Sequence, residues 1–233
     1  ITAANPNTVV LLNAGGNVDM SKWIDKVPSL LHLWYAGQEG GTAVAEILFG
    51  KVNPSGKLPI SFEKKWEDNP AYPYYYDVDG DKRVEYKEGL FMGYRHYDVS
   101  ETKPQFAFGY GMSYTTFKYS DLRIDREKGR DLVVKIRFTV KNTGKHDGAE
   151  TAQVYIRPIN PKVERPYKEL KGFAKHFIRK NTVQEIEITL DKDAFSYYKT
   201  ELKDFDYDVG SYEVLVGSAS DDIRLRKVIQ IEK

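Results

Sequence analysis

Two patterns of apolar spacing divide the chain. Before residue 62 the apolar residues come in short continuous runs. Thr8 to Leu12 and Ser29 to Trp34 are such runs, rich in β-branched and aliphatic residues, and they predict strands covered on both faces, as in parallel α/β sheets. Ser21 is placed to cap a short helix containing Trp23 and Ile24, which Pro28 stops. Gly37 breaks the second strand. A helix is then predicted over 38–49, with Ala43, Val44, Ile47 and Leu48 on one face and Gly50 ending it. The order strand, helix, strand, helix implies parallel strands joined by right-handed crossovers. Two strands do not complete such a sheet, so further strands are expected upstream of Ile1 or from another chain.

After Phe117 the period becomes two. Leu132, Val134, Ile136, Phe138 and Val140 alternate with Val133, Lys135, Arg137 and Thr139, which predicts a strand with one buried face. Ala152, Val154 and Ile156 repeat the pattern, as do Ile186, Ile188 and Leu190, then Tyr212, Val214 and Val216. Residues 223–229 follow it less cleanly. With turn signals at Asn142-Thr-Gly144 and Asp147-Gly148, these strands predict a β-sandwich, and Gly210-Ser-Tyr212 is placed for a tyrosine corner. The expected class is therefore α/β followed by all-β. The expected division is a partial α/β sandwich domain at 1–62, an irregular connecting segment at 63–112 and a fibronectin type III/immunoglobulin-like β-sandwich at 113–233.

Composition changes this picture little. The 35 basic and 34 acidic residues nearly cancel, which gives no field for nucleic acid or an anionic membrane. No apolar run approaches the roughly 20 residues of a membrane span. The absence of cysteine removes disulfides, thiolate metal sites and cysteine nucleophiles. It leaves the compartment open, and a secreted or periplasmic location is expected over a cytoplasmic one.

Candidate chemistry is sparse. There is no nucleophile elbow and no phosphate loop, and the four histidines are scattered. His32 lies inside an apolar strand and reads as a core histidine. Asp77-Val-Asp-Gly-Asp81 has calcium-like acidic spacing but lacks the rest of a twelve-residue loop, so it reads as an Asp-Gly turn and no metal is expected. Tyr72, Tyr74, Tyr75 and Tyr76 could stack on sugar faces, but they read first as packing of a long loop. Gln38 and Glu39 are the best-placed polar pair, because ligands of open α/β sheets bind beyond the carboxyl ends of the strands, where helix N-termini point. They are the expected substrate-binding residues, against the plainer reading of Glu39 as a favourable first-turn charge. Trp34, Tyr35, Tyr94 and Arg95 are expected at a domain interface, with Arg95 in an ion pair there.

Several segments carry a more specific signal: Asn13-Ala-Gly-Gly after Val9–Leu12, Trp34-Tyr-Ala-Gly-Gln-Glu-Gly-Gly, Leu48-Phe-Gly, and Asn53-Pro-Ser-Gly-Lys-Leu-Pro. Others are Tyr86-Lys-Glu-Gly-Leu-Phe-Met-Gly-Tyr-Arg, Phe108-Gly-Tyr-Gly-Met-Ser-Tyr-Thr-Thr-Phe, Arg165-Pro-Tyr-Lys-Glu-Leu-Lys-Gly-Phe and Val216-Gly-Ser-Ala-Ser-Asp-Asp-Ile-Arg-Leu. In this order they resemble the second domain of glycoside hydrolase family 3, in the β-glucosidase branch where a fibronectin type III-like domain follows. The resemblance implies a retaining exo-β-glycosidase acting on a glucoside or oligosaccharide, with an aspartate nucleophile on a preceding (β/α)8-type barrel and a glutamate acid/base earlier in the α/β sandwich. It implies no catalytic residue in this chain and no cofactor. The chain is then expected to be the C-terminal part of a longer or two-piece enzyme, inactive alone and partnered by the barrel portion, with a homodimer also compatible. The alternatives are a non-catalytic carbohydrate-binding or scaffolding protein, or the same enzyme class with xylosidase or N-acetylglucosaminidase specificity.

Overall fold

A computed structural model describes residues 1–127 and 131–232. By contact the chain forms two units, one of Ile1–Val52 with Ile60–Phe106 and one of Asn53–Pro59 with Ala107–Lys233.

In the first unit, β1 (Val9–Leu12) runs parallel to β2 (Ser29–His32), with Val9 opposite Ser29 and Leu12 opposite His32. The helix expected near Trp23 is only a 3-10 turn, Ile24–Lys26. Asp19, not Ser21, organises its approach, since the Asp19 carboxylate accepts from both the backbone N–H and the hydroxyl of Ser21. The principal helix α1 (Gly40–Leu48) begins two residues later than predicted, so Gln38 and Glu39 lie in the turn before it; Phe49 and Gly50 close it. The two strands are half covered rather than buried: Val9 and Leu11 remain 43% and 44% exposed. Two strands give each other edges but no second layer, so their outward faces meet nothing in this unit. The connecting segment contributes the short helices α2 (Tyr72–Tyr75) and α3 (Tyr94–Tyr97). It is anchored by Phe62, which is fully buried and bridges Phe106. Tyr97 is buried on α3 and donates its hydroxyl to the Asp68 carbonyl at 3.2 Å.

The second unit is a sandwich of antiparallel sheets. One has the order β11-β10-β5-β6 and the other β3-β4-β7. The strands are β3 (Phe117–Arg126), β4 (Val134–Asn142), β5 (Gly148–Pro158), β6 (Glu169–Ile178), β7 (Val183–Leu190), β10 (Gly210–Ala219) and β11 (Asp222–Ile231); β8 (Tyr197–Lys199) and β9 (Asp204–Asp206) form a separate hairpin. The alternating residues of β4, β5, β7 and β10 all point into one core, joined by Leu132, Phe195 and Ile178. The side chains of Val134, Ile136, Phe138 and Val140 are essentially inaccessible. Burial of each such side chain is worth about 1.5–3 kcal/mol, so this face fixes the register of β4. Asn142 ends β4 with its side chain inaccessible and fully bonded. It accepts from the Thr115 hydroxyl and the Gly144 N–H and donates to the carbonyls of His146 and Ile178. The tyrosine corner is present, with the Tyr212 hydroxyl donating to the Asp208 carbonyl at 2.8 Å.

The Asn53–Pro59 segment packs as a strap on this sandwich, where the expected boundary at residue 62 had placed it in the first domain. Leu58 N–H donates to Tyr110 and Gly109 N–H to Leu58, a local two-stranded pairing. A Cβ on Gly111 would lie 2.2 Å from the Gly56 carbonyl, so only glycine permits this approach. The Asn53 amide accepts from Ser113 and Tyr114 and donates to the Asp147 carbonyl. Lys57 reaches the buried Glu150 at 3.7 Å, and the other Glu150 oxygen accepts from the Tyr119 hydroxyl at 2.9 Å and lies 4.0 Å from Arg224. Arg224 reaches inward from β11 at a register shift. Val216 faces Leu225 and Gly217 faces Ile223, so Arg224 has no residue opposite it. Burial holds the Lys57 ammonium below the usual lysine range, with Glu150 opposing the shift, and burial pushes the Tyr119 phenol up.

Three predictions follow from these contacts. Glu150→Ala leaves Lys57 and Arg224 without their shared carboxylate and should cost about 3 kcal/mol in urea unfolding. Tyr212→Phe removes one buried hydrogen bond and should cost about 1 kcal/mol in the same measurement. Tyr97 has its phenol pushed up to about 12 from the ordinary tyrosine value of 10.0, by burial first and then by Glu63 and Asp68. The folded state therefore holds that proton more tightly, and its contribution to stability should be present below pH 10 and be lost as pH rises to about 12. A Tyr97→Phe variant should lack this part of the alkaline decline in stability; an unchanged profile would refute the assignment.

Candidate functional site

The candidate site occupies the carboxyl ends of β1 and β2. Parallel strands bring their C-terminal turns together, and here the register does so directly, since Leu12 and His32 are partners at the last position of each strand. The β1 turn is Asn13-Ala-Gly-Gly-Asn17 and the β2 turn is Leu33 to Glu39. Leu33 N–H still donates to the Leu12 carbonyl at 2.8 Å, which extends the pairing one residue into the turn.

Trp34 then departs from extended backbone with a φ of 52°. A bulky residue enters this left-handed region only when its surroundings hold it there. His32 Nδ1 accepts from the Trp34 N–H at 3.1 Å. The His32 and Trp34 rings lie 4.3 Å apart, and Phe62 meets both edge-on at 5.4 and 6.4 Å. Burial lowers the His32 pKa, with the Gly16 backbone opposing the shift, so the ring is neutral at neutral pH. Tyr35 is 79% exposed and lies over Gly15, where a Cβ would come within 2.6 Å of its ring. A side chain at residue 15 would displace the Tyr35 ring from this position. Asn17 closes the turn from below by donating to the Ser61 carbonyl at 3.0 Å and to the Glu63 carboxylate.

Gln38 and Glu39 are both exposed and follow Tyr35 in the same turn. Glu39 precedes α1, where its carbonyl accepts from Ala43 N–H and its carboxylate from the Thr42 hydroxyl at 3.1 Å. That contact suits a first-turn charge and leaves the carboxylate open to solvent. Trp34, Tyr35, Gln38 and Glu39 are thus gathered in one turn. Tyr94 and Arg95 are half-buried on α3, opened by Gly93, and belong to the connecting segment rather than to this turn. Of the tyrosines of the 72–76 run, Tyr72 and Tyr75 meet Trp66 edge-on, Tyr76 meets Tyr75, and Tyr74 lies under Lys87; Tyr75 and Tyr76 remain exposed.

Two other features lie in the connecting segment. Asp77, Asp79 and Asp81 are exposed and can bring carboxylate oxygens within 4.8 Å of one another. These carboxylates already accept from the N–H groups of Gly80, Asp81, Lys82 and Arg83, the bonding of an Asp-Gly turn. An open depression of about 410 Å³ is lined by Asp68, Tyr74, Glu88, Phe91, His96 and Thr102 among others, and burial lowers the His96 pKa. Of the residues singled out in the sequence, Tyr74 lines it, and none of Trp34, Tyr35, Gln38, Glu39, Tyr94 and Arg95 does. Reading the sequence alone missed the roles of Gly15, Asn17 and His32. The signal for His32 is its position two residues before Trp34, where a ring nitrogen can meet the i+2 N–H.

Comparison with known proteins places this geometry. The glycosyl hydrolase family 3 C-terminal domain matches residues 1–114, and the fibronectin type III-like domain matches residues 150–220. The chain is 44% identical over 232 residues to thermostable beta-glucosidase B of Acetivibrio thermocellus, covering 99% of this chain and 30% of that protein. It is 42% identical over 237 residues to a beta-glucosidase of Kluyveromyces marxianus, covering 100% of this chain and 27% of that protein. Among solved structures, the Kluyveromyces marxianus enzyme in complex with glucose superposes with a TM-score of 0.91, covering 99% of this chain and 27% of that one. Beta-glucosidase 3B of Thermotoga neapolitana in complex with glucose superposes with a TM-score of 0.89 at 35% identity, covering 97% of this chain and 31% of that one. The chain spans about three tenths of the length of these relatives. A partial parallel sheet followed by an antiparallel sandwich, matched in that order by these two models, identifies residues 1–114 as a glycosyl hydrolase family 3 C-terminal domain and residues 150–220 as a fibronectin type III-like domain.

Proposed function

We propose that this chain is the C-terminal part of a retaining, exo-acting β-glucosidase that releases terminal non-reducing β-D-glucosyl residues. The observation that carries this reading is the end-to-end match of the chain to β-glucosidases, at 44% identity over 99% of its length in the Acetivibrio thermocellus case. The reaction needs two carboxyl groups about 5–5.5 Å apart, one attacking the anomeric carbon while the other protonates the leaving oxygen and then activates water. We assign neither to this chain. The nucleophilic aspartate belongs to an N-terminal (β/α)8-type barrel portion, and the acid/base glutamate to an earlier part of the α/β sandwich.

The contribution of this chain is a rigid platform. The β2–α1 turn presents Gln38 and Glu39 toward the substrate, where an amide and a carboxylate can bond sugar hydroxyls. Trp34, Tyr35, Tyr94 and Arg95 face the barrel portion. Two features support the placement: both polar residues are exposed beyond the carboxyl end of a parallel strand, and the aromatic packing under them is closed by Phe62.

Hydrolysis of an aryl β-glucoside tests the reading. Turnover is expected only when this chain and the barrel portion are present together. Gln38→Ala and Glu39→Gln in the complete enzyme should each lower kcat/KM by about 10-fold or more, the value of a lost hydrogen bond to substrate. Full turnover by this chain alone, with its purity established by intact mass, would sink the proposal.

A further inference from the structure

Trp34 stands in a left-handed conformation at the point where the β2–α1 turn leaves the sheet. Gln38 and Glu39 follow within five residues, so the direction in which they are presented depends on what holds Trp34. The group that holds it is His32. Its Nδ1 accepts from the Trp34 N–H at 3.1 Å while its ring packs on the indole at 4.3 Å. Phe62 closes the edges of both rings, which leaves the imidazole no room to turn away. A ring nitrogen that accepts a hydrogen bond carries no proton, so the proton of the neutral ring is on Nε2. Nε2 is itself buried and makes no hydrogen bond of normal geometry; besides Trp34, the Gly16 backbone acts on the ring. His32 is also the last residue of β2, facing Leu12 at the end of β1, so it stands where both turns begin.

We propose that His32 is the positioning residue of this turn: neutral, with its proton on Nε2, it latches Trp34 in the left-handed conformation and thereby fixes where Tyr35, Gln38 and Glu39 are presented. The connection to substrate rests on the β-glucosidase reading; the hold on Trp34 does not. Protonation of Nδ1 would set two donors against each other and open the latch. The titratable groups on the segments packed around the ring are Glu63, next to Phe62 and bonded by Asn17, and Tyr35, which covers Gly15. Burial and the Gly16 backbone, not a charged side chain, are what shift the ring. The latch should therefore open only under acidic conditions.

Two substitutions separate latching from bulk. His32→Asn puts an amide oxygen near the position of Nδ1, which accepts from Trp34 and does not titrate, whereas His32→Leu fills the space with no acceptor. In the full-length protein, long-range proton–nitrogen correlation spectra should show the Nε2–H tautomer at neutral pH. Hydrogen exchange at the Trp34 amide should accelerate about 10-fold or more in His32→Leu and be slowed again in His32→Asn. On an aryl β-glucoside, kcat/KM should fall about 10-fold in His32→Leu, as expected for a displaced turn. It should be largely rescued in His32→Asn, with the acid limb of the pH profile moved to lower pH. An Nδ1–H tautomer, or Trp34 exchange that does not distinguish the three proteins, overturns the latch. If His32→Leu does not fold, the tautomer and the pH profile of His32→Asn decide. Altered Trp34 exchange with unchanged kcat/KM overturns the link to substrate. The expected tautomer and exchange pattern in a protein inactive on β-glucosides supports the latch and refutes the glucosidase reading instead.

Discussion

A single buried carboxylate organises the larger unit. Glu150 is 4% exposed on β5, and around it converge Lys57 from the strap, Tyr119 from β3 and Arg224 from β11. A charge so far removed from water is tolerable only when both oxygens have partners, and here both do. The requirement runs the other way as well. Lys57 is held below its ordinary range by burial and is kept charged by Glu150, so the strap and the sandwich stabilise one another. The register shift on β11 belongs to the same arrangement, because it frees Arg224 from the alternation and aims it at the carboxylate and at the Tyr119 ring, 4.8 Å away.

That arrangement explains the chain's path. The chain passes into the second unit at Asn53, returns to the first at Ile60 and crosses again at Ala107. The Asn-Pro-Ser-Gly-Lys-Leu-Pro segment is therefore part of a β-sandwich although it directly follows the helix of an α/β unit. Its residue types match the task. Asn53 supplies a side chain that bonds three backbone or hydroxyl groups, the Gly56 carbonyl lies against Gly111, which has no side chain to obstruct it, and Lys57 supplies the charge.

The first unit works by a different principle. It has no large core of its own, and its order rests on aromatic packing about Phe62 and on hydrogen bonds between turns. The exposed faces of Val9 and Leu11 show how little two strands and one helix cover. What this unit does define is the start of the β2–α1 turn, where the His32–Trp34 bond and the Phe62 ring hold Trp34.

Much of this was legible in the residues themselves. Period-two alternation marked β4, β5, β7 and β10 because a strand between core and water must alternate, and the core confirms each of them. The end of α1 near Gly50, the Tyr212 corner and the family resemblance were equally local signals. The helix expected near Trp23 shrank to a 3-10 turn, since Asp19 rather than Ser21 governs its start and Pro28 leaves it no length. The two-sided cover expected of β1 is not supplied within this chain, because a continuous apolar run states what a strand tolerates on its faces, not which residues cover them. Tertiary structure alone decided the seat of the strap, the Glu150 cluster and the left-handed Trp34. Each depends on groups brought together by chain closure: Lys57 with Glu150, Asn17 with Glu63, Phe62 with His32 and Trp34. Residue periodicity records which side of an element is buried, and it carries no record of which distant residue arrives there.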